Sequence, residues 1–182
     1  MDETGPAIAT RAVIAAPVPG RAMARYGASF VIGFVAGLRS MTACAALSQA
    51  AARGQARLTW IPGGGATRGL LTAAALAEMA GDKMPFAPDR RILPSFLARL
   101  AIGAAGGAAL AGRDASLPAG GLAGIAGAAT GTLLGRAARG GVTGSGANWG
   151  RALAEDAVAA GLAAALLGRV GRHGDALARP VS

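Results

Sequence analysis

The sequence predicts an all-α integral membrane protein: a bundle of about five transmembrane helices with glycine-rich packing and an inverted repeat. Three observations carry this. Five apolar stretches keep their strong charges mostly at their ends. Hydrophobic residues make up 53% of 182 residues, yet aromatics reach only 4% while glycine numbers 30. Alanine and glycine give a soluble core little bulk, whereas small residues suit close helix packing in lipid. Finally, the net charge of +9 comes from arginines in short groups between the apolar stretches. A soluble alanine-rich bundle is the competing reading, and the charge placement disfavours it.

The same placement excludes nucleic acid as a partner, because the cations line no single face and few aromatics are present for stacking. The lipid bilayer is the expected partner. A second copy of the chain, or a small solute or ion, is a candidate for the rest. Cys44 is the sole cysteine and His173 the sole histidine. That leaves no intrachain disulfide, no histidine-based triad, no metal-ligand set and no call for a cofactor.

Residues 1–25 lead with Asp2 and Glu3 and are broken by Pro17 and Pro19, unlike a signal peptide. They read as a flexible basic extension before a helical domain over 26–170. The first span, Tyr26–Ala52, is apolar or small throughout apart from Arg39 at its centre. As one helix it would run about 40 Å, enough to cross a hydrocarbon core of about 30 Å. Gly33 and Gly37 offer a neighbouring backbone a close approach. A loop with Pro62 and Gly63–Gly65 follows, with Trp60 as an interfacial anchor.

The second span runs from Thr67 to Met84 and turns polar at Glu78, Asp82 and Lys83. Glu78 and Asp82, four apart, share a helix face. Pro85, Pro88 and Pro94 then impose an extended connection. The third span, Ser95–Gly112, carries Arg99 one turn in, with Gly103 and Gly107 as a small pair. The fourth, Leu117–Ala138, repeats glycine at Gly127, Gly131 and Gly135. The loop RGGVTGSGANWG reads as a flexible connector in preference to a phosphate cradle. The fifth span, Trp149–Val170, bears Glu155 and Asp156, and 171–182 form a flexible tail.

The inverted repeat rests on AARG at 51–54 and 137–140, each followed by a glycine-rich loop and then ALAE at 75–78 and 152–155. One span lies between the copies, which inverts them in the membrane. Antiparallel threading brings Glu78, Asp82, Glu155 and Asp156 to one half of the bilayer near Arg99, on the side where the chain begins. Whether Arg39 reaches them depends on its long side chain.

A charge at mid-bilayer costs from about 2.5 to well over 10 kcal/mol unless paired or hydrated. The cluster of Arg39, Glu78, Asp82, Lys83, Arg99, Glu155 and Asp156 is therefore the candidate site, either fixing helix neighbours or lining a proton, ion or solute path. Enzymatic use ranks last, for want of a nucleophile–base pair.

GLRS (37–40), EMAGDKMPFAPDR (78–90), GGLAGIAGAATGTLLG (120–135) and AEDA (154–157) together resemble the small bacterial membrane proteins filed as domain of unknown function forty-one twenty-six. The resemblance spans roughly residues 28–170. It implies a multi-pass membrane protein with relatives in bacteria and plastids, and no established activity. Its implied motif residues are Arg39, Glu78, Asp82, Lys83, Pro85, Glu155 and Asp156.

The expected location is the bacterial inner membrane. Nine loop cations fall on the amino-terminal side (Arg11, Arg21, Arg25, Lys83, Arg90, Arg91, Arg136, Arg139, Arg151) and seven on the other (Arg53, Arg57, Arg68, Arg113, Arg169, Arg172, Arg179). By the positive-inside rule the amino terminus is cytoplasmic. The two functional expectations are a small permease or channel-like protein, and an accessory membrane subunit whose buried charges register the helices.

Overall fold

The computed structural model describes residues 19–81, 93–139 and 145–177. Residues 1–18, the proline-rich connection 82–92, part of the glycine loop (140–144) and 178–182 lie outside the described residues. Among those described there are six α-helices and no strand: α1 Pro19–Leu38, α2 Ser40–Ala52, α3 Gly65–Gly81, α4 Leu93–Ala109, α5 Leu117–Arg139 and α6 Ser145–Leu177. The chain is all-α.

Among the described residues one helix segment, Leu117–Ala137 within α5, is long and apolar enough to cross a membrane; Arg25–Leu38 and Leu93–Ala109 are shorter apolar helices. Helix length thus accounts for one crossing, not five. The helices also overrun the predicted domain limits. α1 begins at Pro19, inside the expected extension, and α6 continues to Leu177, past the expected end at 170.

The largest departure concerns the first span. Tyr26–Ala52 is two helices, not one, broken at Arg39, whose backbone is extended with φ −144° and ψ 103°. Continuous helix would hold Ile32 and Leu47 about 22 Å apart. Both instead pack on Gly106, where an added Cβ would lie 3.2 Å from Ile32 Cγ1 and 3.1 Å from Leu47 Cδ1. α1 and α2 therefore fold back as a helical hairpin with Arg39 at its apex. Hydropathy is blind to this, because a hairpin of two apolar helices has the same composition as one long apolar helix.

Backbone bonds at the open end of the hairpin fix the threading. The Gly112 N–H donates to Arg25 O at 3.0 Å, and the Arg57 N–H donates to Ala109 O at 2.8 Å. The start of α1, the end of α2, the end of α4 and the start of α5 thus meet at one end, here called the base. The Arg57 guanidinium ties them further, donating to Gly112 O and Ala115 O at 2.9 and 2.7 Å. Ser116 caps α5, accepting the Ala119 N–H at 3.1 Å. α1, α3 and α5 run from base to apex; α2, α4 and α6 return.

Glycines decide how closely the central helices pack. Gly33 of α1 and Gly103 and Gly107 of α4 all abut Gly124 of α5, backbone against backbone. Farther along, Gly127 and Gly131 of α5 seat Phe30 and Phe34, and Gly37 lies on Ala128 and Thr132. Gly135 is also buried. The core proper is built on the hairpin, with Ile32, Val35, Ala36, Ala43, Leu47 and Ala50 joined by Ala159, Ala163 and Leu166 of α6.

The repeated strings fall at equivalent places: AARG at the ends of α2 and α5, ALAE within α3 and α6. Their helices run in opposite senses. The packing is not repeated, however, since α5 lies tightly against α1 and α4 while α2 touches α4 lightly.

Candidate functional site

A helix break leaves backbone groups without intrahelical partners on both sides. At Arg39 the side chains of three other helices meet those needs. On the α1 side the Gly37 carbonyl accepts from Arg99 Nη1 of α4 and, at 3.3 Å, from Thr132 Oγ1 of α5. On the α2 side the Met41 N–H donates to Glu78 Oε2 of α3 at 3.0 Å. Arg39 itself, the N-cap residue of α2, makes no side-chain cap. Its backbone bridges the break, donating to Val35 O at 2.7 Å and accepting from the Ala43 N–H at 3.2 Å.

The signs of the charges follow the helix dipoles. Arg99 faces the negative carboxyl end of α1 and Glu78 the positive amino end of α2, the favourable choice in each case. The Arg39 guanidinium turns to α6, with Nη2 2.6 Å from Asp156 Oδ1. Arg39 is 1% exposed and Asp156 8%. This is a sealed ion pair at the point where α1, α2 and α6 join.

Glu78 differs from Asp156 in being only half-buried. Thr42, next to Met41 on α2, is 7% exposed. The Thr42 hydroxyl has no partner among the described residues. Cys44, a free and half-buried thiol, stands two residues farther along α2.

The sequence placed seven residues in the charged cluster. The structure brings Arg39, Glu78, Arg99 and Asp156 together at the apex. Glu155 is half-buried beside Asp156 on α6. Asp82 and Lys83 lie outside the described residues. The meeting point is at the opposite end from the one expected: because the first span turns back on itself, α3 ends away from the side where α1 begins.

Sequence reasoning did not foresee the backbone break, the part played by Thr132, or the glycines Gly120 and Gly124. The last two had a legible signal, since they extend the stripe of Gly127, Gly131 and Gly135 backward at helical spacing. Thr132 had none.

No family model, curated protein or solved structure matches this chain.

Proposed function

We propose that this chain is a multi-pass integral membrane protein of the small permease or channel-like kind, handling a proton, ion or small solute at Glu78. The observation that carries the reading is the discontinuous helix α1–α2. Its half-helix amino end points at the carboxylate of Glu78, a residue that is only half-buried. Broken helices with charged or polar groups at the break are how many secondary transporters hold ions and solutes.

Several features support a lipid setting. Arg39, Arg99 and Asp156 are buried, while Leu70, Leu76, Leu122, Leu133 and Leu134 are each more than half exposed. A soluble protein would put these the other way round. Non-helical backbone at membrane depth is tolerated where protein encloses it, and the apex is so enclosed. α2 rises about 20 Å from base to apex, about two thirds of a hydrocarbon core. The resemblance to the forty-one twenty-six family agrees with this setting.

Helix position also supports an orientation. Arg25, Arg53, Arg57, Arg68 and Arg113 lie toward the base, with Arg136, Arg139 and Arg151 at the other end. The base, and with it the start of α1, is then cytoplasmic.

A second reading, an accessory subunit whose charges only register the helices, is favoured by the sealing of the Arg39–Asp156 pair. Reconstituted vesicles separate the two. Transport of protons, ions or small solutes that is lost in Glu78→Gln while the protein keeps its fold supports the first reading. Vesicles no leakier than protein-free ones across a broad panel support the second.

A further inference from the structure

We infer that the base of the bundle carries a binding site for the headgroup of an anionic phospholipid, formed by Arg53 and Arg68 beside Trp60. The inference rests on the membrane reading above but not on transport. The glycine-rich turn brings the elements together: Gly63 lies against Ala51 and Ala52, so that Arg53, the residue that ends α2, stands beside the start of α3.

That start is uncompensated. Its first turn has no acidic residue, and Gly64, which precedes it, has no side chain to cap it. Arg68, whose N–H makes a helical bond to Gly64 O at 3.0 Å, adds a cation where the helix dipole is already positive. The Arg68 Nε is shut off from solvent and has no partner among the described residues.

Arg57 and Arg113 add exposed cations at the same end, and Asp114 is the only acid there among the described side chains. Trp60 is 66% exposed, an indole placed at the depth where headgroups meet acyl chains. A phosphate diester answers the excess positive charge: it sets an anion against the exposed Arg53 and the amino end of α3, while its acyl chains run along the apolar flank next to Trp60. Basic pockets between helices on the cytoplasmic side hold lipid headgroups in this manner.

The test is thermal unfolding of the full chain in neutral detergent, titrated with phosphatidylglycerol, phosphatidylcholine or inorganic phosphate. Phosphatidylglycerol is expected to raise the midpoint at low salt, with the effect fading at high salt. Phosphatidylcholine and inorganic phosphate are expected to do little. Arg53→Gln and Arg68→Gln should each weaken the phosphatidylglycerol response about five-fold, and Arg136→Gln, at the far end, should leave it intact.

Equal stabilisation by the two lipids, or by inorganic phosphate, would overturn the assignment. So would variants at residues 53 and 68 that respond like the unaltered chain. Should either variant fail to fold, the lipid comparison and its salt dependence in the unaltered protein still decide the matter. A chain that stays in solution without detergent and floats with neither type of vesicle would refute the membrane reading itself, a result separable from equal lipid responses.

Discussion

At the scale of single residues, the apex depends on partners that are not interchangeable. Asp156→Ala leaves the Arg39 guanidinium in a dry site without its carboxylate, and breaking a buried pair this way costs about 3–5 kcal/mol. Denaturant titration in mild detergent should show that loss. Glu78→Ala removes a helix cap and should cost about 1 kcal/mol. Glu78→Gln keeps an acceptor for the Met41 N–H and should cost less. If the two Glu78 variants were equally destabilised, the carboxylate would be acting through its charge and not through the cap. Arg99→Leu leaves Gly37 O with Thr132 alone and should fall between these, at about 1–3 kcal/mol. The sequence made these charges conspicuous because ionisable groups are costly in apolar stretches. It left their roles hidden, since nothing in a one-dimensional pattern says that an acid on one helix will finish the backbone of another.

At the scale of elements, the junction of α1, α4 and α5 stands on Gly124. An added side chain there would strike the Gly103 carbonyl, and backbone cannot yield as a flexible side chain does. Gly124→Val should therefore cost about 3 kcal/mol or more. Gly161 of α6, which has open space around it, should accept alanine with a gain of up to about 1 kcal/mol from helix propensity. A comparison of unfolding midpoints for the two variants checks both. The helices themselves were legible from apolar runs and from the prolines and glycines between them. The helix break at Arg39 was not. It carries no proline, and its local backbone bonds continue on both sides, so only the tertiary partners Glu78, Arg99 and Thr132 make a turn there tolerable. The misplaced end of α3 followed from that single error, because one missed reversal inverts every later helix.

At the scale of the whole molecule, the bundle gathers Arg39, Arg99 and Asp156 inside and turns leucines outward, with arginines crowded at the base. Cysteines introduced at the exposed positions Arg113 and Arg136, in a Cys44→Ser background, should react with an impermeant thiol reagent from opposite faces of the cell membrane. Arg113→Cys is expected to be reached from the cytoplasmic face. Reaction of both from one side would remove the crossing assigned to α5. Everything else rests on the hairpin, and one distance measurement examines it directly. With Arg25 and Arg53 replaced by cysteine, again without Cys44, and both labelled with nitroxides, pulsed dipolar spectroscopy reports their separation in lipid. A single helix through residue 39 would set them about 42 Å apart. The hairpin predicts a much shorter distance, that of two neighbouring helix ends, and a distribution centred near 42 Å would contradict it.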